Sequence, residues 1–591
     1  MTATIPQLFQ QSVANYPRKD QLCFKRKGRY VSISTAEFEL AVRRTAYGLK
    51  ELGHGSGDKL VILSENSPDW IICDYANLCL GGVTVPIYPT LVPDQISYII
   101  KDCEAGTLIC SNASLLEKIQ SVKENIPRIK SLILMADNPP EGVLSLREIQ
   151  EKGDEALQRD PDFFEKAIAA VEPDDLASII YTSGTTGIPK GVMLTQGNFA
   201  SNASTMSSLV PFSAKDTALS FLPLSHVLER LCTFAFLSVG MSIAFAECVE
   251  TVAENMIEVR PTIMVSVPRL FDKIYVKVMD NVLSSSRLKK KIFFWALGIG
   301  KEMAALRHVK KKPSFGLRFR HSLAHKLVFA KIIAKTGGRI FFFVSGGAPL
   351  ARDIAEFFDA LGLIILEGYG LTETSPVLAV NTFDDIKFGT VGKPIPGVEI
   401  KIADDGEILA KGPNIMRGYY KKDEETSGVM RDGWLHTGDI GFLDNEGFLV
   451  ITDRKKDIII TAGGKNVAPQ PMENMLKTSP YIANPVVVGS GRKFISAIIV
   501  PEFEKLEEYA RKNRIPFHNR RELVEKRAIY DFIMTEIERV TPGLARYETI
   551  KKIILLHRDF DIESGEMTPT LKVKRNIVEK EFEKQIDALY K

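Results

Sequence analysis

Residues 181–191 read Tyr-Thr-Ser-Gly-Thr-Thr-Gly-Ile-Pro-Lys-Gly, a hydroxyl- and glycine-rich loop ending on a lysine and set between two apolar runs. Thr182, Ser183, Thr185 and Thr186 supply hydroxyls, while Gly184 and Gly187 remove the side chains that would keep a phosphate from backbone N–H groups. Lys190 adds a point charge. The flanks, Leu176–Tyr181 and Val192–Leu194, have the apolar character of buried strands, which a solvated Ser/Thr/Gly linker would lack. A loop of this kind holds a polyphosphate. It is not a Walker A loop: Gly184 and Lys190 have the required separation, but Pro189 takes the second glycine position and Gly191 replaces the Mg²⁺-binding hydroxyl. The strand–loop–helix of P-loop NTPases is therefore not expected.

The first 450 residues alternate strand-like and helical patterns. Ser34 and Glu37 are spaced for a capping box, and Phe38, Ala41, Val42, Thr45, Leu49 and Leu52 recur at helical spacing up to Gly53. Lys59–Leu63 is a buried-strand candidate, a helix opens near Pro68, and Gly81–Tyr88 is again strand-like. This alternation predicts α/β architecture with mainly parallel sheets. Near residue 450 the pattern changes. Gly406–Leu409 and Gly447–Ile451, with their Asp/Asn/Gly turns, suggest antiparallel strands and a small barrel. The charged stretch 453–457 then precedes the apolar runs Ile458–Ile460, Pro485–Val488 and Ala497–Val500, and charged helices run to the C-terminus. A domain boundary is placed at that charged stretch.

At 591 residues the chain exceeds what one core supports. Its 76 Lys+Arg against 73 Asp+Glu argue against nucleic acid as a partner. Seven cysteines without a CxxC pair fit reduced thiols rather than a disulfide framework. The N-terminal residues lack the pattern of a signal peptide, and no run has the length of a membrane span, so a cytoplasmic protein is the expectation. Charge is skewed only in 287–335, where Glu302 is the one acid among fourteen bases interleaved with Phe293, Phe294, Trp295, Phe315 and Phe319. That composition suits either an anionic membrane surface, on its inner face, or a solvated face on ordinary helices.

Further motifs follow the loop in order. Leu222–Arg230 (LPLSHVLER) contains His226. Ser345–Leu350 (SGGAPL) follows an apolar run, as a strand-to-turn connection should. Glu367–Thr374 (EGYGLTET) sets glycines beside Tyr369 and puts the hard carboxylate of Glu373 within reach of Mg²⁺. Trp434–Asp439 (WLHTGD), Thr461–Pro469 (TAGGKNVAP) and Met567–Arg575 (MTPTLKVKR) complete the series. Together with 181–191, these segments resemble the adenylate-forming superfamily over roughly residues 30–580. Pro261–Tyr275, TAGGKNVAP and MTPTLKVKR are most similar to bacterial-type long-chain fatty-acid–CoA ligases.

The resemblance implies an α/β fold: a large N-terminal domain (1–452) of two α/β lobes plus a small β-barrel-like lobe, a hinge (453–457), and a smaller mobile α+β C-terminal domain (458–591). It implies ATP and coenzyme A as co-substrates, Mg²⁺ held by Glu373, and a fatty acid as substrate. Nucleotide contacts fall on Thr182, Ser183, Gly184, Thr185, Thr186, Lys190, Gly347, Ala348, Gly368, Tyr369, Gly370, Thr372, Asp439 and Arg454, and pantetheine contacts on Gly463, Gly464 and Lys465. Catalytic roles fall on Lys572, Glu373, Thr182, Lys190 and His226, with Lys456 as hinge residue. Lys572 takes the place of the adenylation lysine ahead of Lys574; the family's glycine before it is Leu571 here. The implied reaction joins ATP and a fatty acid to acyl-AMP and pyrophosphate, then passes the acyl group to CoA. Alternatives are loading of an acyl carrier protein, a medium-chain or aryl acid–CoA ligase, a luciferase-type oxidase, and a nucleotide binder without catalysis.

Overall fold

The computed structural model describes residues 3–183, 189–561, 564–568 and 573–591, with Ser183 as backbone only. Two large sheets carry the N-terminal part, both mainly parallel and flanked by helices. One has eight strands, in the order Gly418–Tyr419, Pro189–Thr195, Leu176–Ser183, Val83–Ile87, Lys59–Leu63, Thr107–Cys110, Ser131–Leu134 and Leu144–Ser145. The other has nine, and its central parallel strands include Phe342–Ser345 and Ile364–Gly370. A five-stranded antiparallel sheet built on Glu407–Lys411, Trp434–Leu443 and Leu449–Arg454 follows, where the sequence suggested a barrel.

Local signals account for many of these elements. Ser34 and Glu37 close the expected capping box on the helix Thr35–Glu51: Glu37 N donates to Ser34 Oγ at 3.2 Å, and Ser34 N donates to Glu37 Oε2 at 2.8 Å. The helix predicted near Pro68 runs Pro68–Cys79, with Ser67 as N-cap and proline in its first turn, where a missing N–H costs nothing. Lys59–Leu63 and Val83–Ile87 are buried strands because parallel neighbours and covering helices leave neither face to water.

The hydroxyl-rich loop joins two antiparallel strands. Leu176–Ser183 and Pro189–Thr195 pair directly, with Tyr181 opposite Gly191 and Thr182 opposite Lys190. The second arm continues as a strand because Val192 and Leu194 are fully buried in the sheet core. Gly191 is needed for this closeness, since a Cβ there would lie 2.7 Å from Ile179 Cγ2.

After residue 457 the strands Ile482–Val488, Ile495–Pro501 and Ile550–Leu555 form a separate three-stranded sheet. Leu506, Ile529 and Ile533 from its helices pack with Ile499 and Ile553 into a core of its own. Among the described residues, no helix is long and apolar enough to cross a membrane.

The two halves of the N-terminal part are tied by a buried ion pair. Arg230, on the helix Val227–Ser238, is fully buried and forks onto Asp74 of the Pro68–Cys79 helix, with Nε–Oδ2 at 2.8 Å and NH2–Oδ1 at 2.6 Å. Its remaining nitrogen, NH1, donates to Ser178 Oγ at 2.6 Å, and Ser178 Oγ donates to Thr84 O at 2.6 Å. Thr84 Oγ1 in turn donates to Asp74 Oδ1 at 2.8 Å. Arg230→Ala leaves Asp74 buried without its counter-charge and is expected to cost about 3–5 kcal/mol. Chemical denaturation checks this, and Asp74→Leu with Arg230→Met together should cost much less than Arg230→Ala alone.

Candidate active site

A cavity of about 930 Å³ opens between the sheets and the C-terminal part. Its polar wall is built by three connections at strand ends. The strand Leu176–Ser183 delivers Thr182, and the return strand delivers Lys190. Lys190 Nζ lies 5.0 Å over the Tyr419 ring, whose hydroxyl donates to Glu373 Oε1 at 2.8 Å. Tyr419 is adjacent because Gly418–Tyr419 pairs with Val192 and Met193 at the edge of the same sheet. A lysine, a phenol and a carboxylate thus form one chain beside the loop. Gly184, Thr185 and Thr186 lie outside the described residues.

The strand Ile364–Gly370 brings in Gly368, Tyr369 and Gly370, followed on the cavity wall by Thr372 and Glu373. Gly370 cannot be replaced without moving the backbone, since a Cβ there would sit 1.5 Å from Pro376 O. Tyr369 OH donates to Asp439 Oδ2 at 2.7 Å, and Arg454 Nε stands 3.2 Å from Asp439 Oδ1. Asp439 and Arg454 meet because they face each other in the ladder between Trp434–Leu443 and Leu449–Arg454. Burial first, then the neighbouring Asp439 charge, push the Tyr369 phenol well up, so it remains a donor. Gly347, at φ +80°, reaches the wall, whereas Ala348 is exposed and does not.

His226 reaches the cavity and also caps the helix Val227–Ser238: its Nδ1 accepts from Leu228 N at 3.2 Å. Beyond it the wall turns apolar. Leu228, Leu231, Cys232, Ala235 and Phe236 recur on one face of this helix. From His226 to Phe236 the wall runs about 15 Å. Phe236 meets Phe212 edge to face, with centroids 5.3 Å apart, and both line the cavity.

From the C-terminal part, Lys456, Met567, Thr568 and the stretch Val573–Ile577 border the cavity. Lys572 lies outside the described residues. Lys574, the second lysine of the motif, is on the wall, and burial pushes its ammonium below the usual lysine range. The buried Glu566 holds this segment: its carboxylate takes both arms of Arg558 at 2.7 and 2.8 Å, and its carbonyl accepts from Lys574 N at 2.7 Å. Gly463, Gly464 and Lys465 are not brought to the cavity. They form an exposed turn between the short strands Ile459–Ile460 and Asn466–Val467, a position set by that pairing.

Two polar wall residues, Tyr419 and Glu407, were not singled out in the sequence. Tyr419 sits in an unremarked Arg-Gly-Tyr-Tyr run, although two tyrosines after a glycine were a usable signal. Glu407 accepts from Gly438 N at 2.9 Å and from Lys455 Nζ at 2.9 Å, an acid inside an apolar strand. Lys574 was set behind Lys572 by register alone. Glu229, one turn past His226, is buried with Oε2 unpartnered among the described residues, and desolvation pushes its carboxyl up to about 8.

Glu229 is therefore protonated at neutral pH in the folded state and ionised in the unfolded chain. Folding stability is then lost as pH rises from the ordinary carboxylate range to about 8. Glu229→Gln should raise the melting temperature at pH 8 and leave it nearly unchanged at pH 4.5. Melting curves at the two pH values check the sign.

A model of the AMP-binding enzyme family matches residues 9–420, and one of the AMP-binding enzyme C-terminal domain matches residues 456–591. The long-chain-fatty-acid–CoA ligase FadD15 of Mycobacterium tuberculosis is 36% identical over 566 residues, covering 95% of this chain and 93% of that protein. The human long-chain-fatty-acid–CoA ligase ACSBG1 is 31% identical over 627 residues, covering 99% and 85%. Among solved structures, the adenylation domain of a carboxylate reductase from Mycobacterium chelonae aligns with a TM-score of 0.77 at 24% identity, covering 99% of this chain and 91% of that one. An anthranilate CoA ligase bound to anthranoyl-AMP aligns with a TM-score of 0.72 at 19% identity, covering 98% and 97%. The chain belongs to the AMP-binding enzyme family, within the group of long-chain-fatty-acid–CoA ligases.

Proposed function

We propose that the protein activates a long-chain fatty acid with ATP and transfers the acyl group to coenzyme A. The observation that carries this is one cavity with two walls: a polar wall bearing Lys190, Glu373 and Asp439, and an apolar face running about 15 Å along the His226 helix. CoA is preferred to a carrier-protein acceptor because the relatives of this length are CoA ligases.

In the first step a carboxylate oxygen attacks the α-phosphorus, and the bond to the β-phosphate breaks, releasing pyrophosphate. Lys190 and Thr182, with the hydroxyls of the loop, hold the β- and γ-phosphates by charge and hydrogen bonding. Asp439, paired with Arg454, accepts from the ribose hydroxyls, and the Tyr369 ring offers a face to adenine. The donor set suits Mg²⁺, which takes one or two carboxylates and completes its shell with phosphate and water; Glu373 is the carboxylate here. Bound there, the ion supplies charge neutralisation across the leaving pyrophosphate. Lys574 or Lys572 bridges the substrate carboxylate and α-phosphate. In the second step the CoA sulfur attacks the acyl carbon, the carbon–oxygen bond to AMP breaks, and AMP leaves.

The C-terminal domain is proposed to begin after 453–457 and to pivot at Lys456, withdrawing the terminal lysine and bringing Gly463, Gly464 and Lys465 to the thiol path. A peripheral place on the inner face of a membrane, through 287–335, belongs to the same reading.

Fatty-acid-dependent exchange of pyrophosphate into ATP, together with CoA-dependent AMP release across acids from acetate to oleate, tests the function. Exchange without CoA-dependent release would remove the CoA step. Lys574→Ala should lower exchange at least a hundredfold and spare thioester formation from supplied acyl-AMP; if only Lys572→Ala does so, the role belongs to Lys572. Glu373→Gln should move the Mg²⁺ concentration giving half-maximal exchange upward by tenfold or more. An unchanged Mg²⁺ titration would remove Glu373 as the ligand.

A further inference from the structure

The basic segment lies mostly on two helices, Arg287–His308 and Phe315–Ala324, the second continued by a π turn over His325–Phe329. In water such helices should turn apolar residues inward and charges outward. The second does so on its inner face, where Leu317, Ala324 and Phe329 are buried in the core. Its outer face breaks the rule. Phe315, Phe319, Leu323 and Leu327 stand four residues apart in a single exposed row, with Phe315 86% and Phe319 66% accessible.

The first helix extends the row sideways. Leu288, Trp295 and Glu302 repeat every seven residues and so share one stripe; both apolar members are exposed. Glu302 reaches Arg320 of the second helix at 3.5 Å, so the two outer faces adjoin along that contact. Lys289, Lys291, Arg318 and Lys326 stand exposed around the apolar side chains, and none has an ion pair among the described residues. Elsewhere in the segment Arg307 pairs with the buried Asp359, and Lys310 meets Asp384 at 2.9 Å on the surface.

We propose that this face docks on a bilayer containing anionic phospholipid, with Phe315 and Phe319 entering the acyl boundary and the four cations meeting the phosphates. It rests on the membrane contact proposed above and specifies the residues and the lipid. A protein partner would be expected to offer a fixed shape and paired groups, whereas a row of flexible apolar tips ringed by unpaired cations fits a fluid anionic surface. The ligase cavity draws no wall residue from either helix, so docking leaves the chemistry accessible.

The test is co-sedimentation of the full chain with phosphatidylcholine vesicles, with and without phosphatidylglycerol, at low and high salt. The expected result is binding that depends on phosphatidylglycerol and weakens with salt. Phe315→Ser with Phe319→Ser, and separately glutamine at Lys289, Lys291, Arg318 and Lys326, should each weaken vesicle binding at least tenfold. Both variants should keep wild-type pyrophosphate exchange on detergent-dispersed fatty acid. Equal binding by wild type and variants overturns the assigned face while leaving a membrane contact standing elsewhere. No binding by the wild type overturns the membrane contact as well, and the exchange assay shows that the ligase reading survives. A lipid-free dimer that the Phe315/Phe319 variant abolishes would assign the row to a second copy of the chain instead.

Discussion

The Arg230–Asp74 pair is the contact on which the site's geometry depends. Arg230 stands one turn past His226, on the helix whose inner face becomes the apolar wall. Through Ser178 it touches the strand that carries Thr182 to the cavity, and through Asp74 it holds a helix packed on the parallel core. One guanidinium therefore ties the strand that carries Thr182 to the helix that forms the apolar wall. Such a group is costly to bury. It is tolerated because the fork geometry satisfies Asp74 with two bonds and leaves a third donor for Ser178. A hydrophobic replacement could pack as well but would not fix the relative register of the strand and helix to a fraction of an ångström.

The same economy appears beside the loop. In a P-loop the metal ligand follows the lysine directly in sequence. Here Gly191 stands at that place, and the carboxylate proposed for that duty, Glu373, follows the strand Ile364–Gly370 of the other large sheet. Tyr419 joins the two by accepting the Lys190 charge on its ring face and donating its hydroxyl to Glu373. Burial and the nearby Glu373 push this phenol well above its ordinary range, so it keeps its proton and its donor role throughout neutral pH. The antiparallel return of the chain after the loop is what makes room for Gly418–Tyr419 at the sheet edge.

Much of this was legible in the residues. The capping box at Ser34, the strand Lys59–Leu63 and the helix from Pro68 followed from local chemistry, because caps and apolar runs act within a few residues. Tyr369, Asp439 and Lys190 were singled out by motif and resemblance, and the structure brings all three to one cavity. What was not legible depends on pairing across long separations. Nothing near Tyr419 announces Glu373, and Arg230 reads as one charge in an apolar helix until Asp74 is brought to it. His226 was read for its position in a motif, yet its Nδ1 also serves the helix end, a role only the backbone reveals. Gly463–Lys465 were assigned by resemblance to a task that this arrangement of the C-terminal part does not display.

That arrangement bears on how the proposed two steps could alternate. In the terminal segment, Glu566 ties Arg558, the Asp561 backbone and Lys574 N together. Its link to the N-terminal part is lighter: Lys505 meets Asp280 at 2.7 Å, with both side chains about a third exposed. Exposed pairs of this kind contribute at most about 1 kcal/mol each. Upstream of the pivot, Lys455 is tied to Asp405 and to Glu407, the latter on the sheet that also carries Asp439. A rotation proposed at Lys456 would have to release the exposed Lys505–Asp280 pair and the Gln470 N–Asp453 Oδ2 hydrogen bond at 3.2 Å, while Lys455 stays tied to Asp405 and Glu407 one residue before the pivot. The division of strong and weak contacts, more than the identity of the hinge residue, is what would let one cavity serve an adenylation and a thiol transfer in turn.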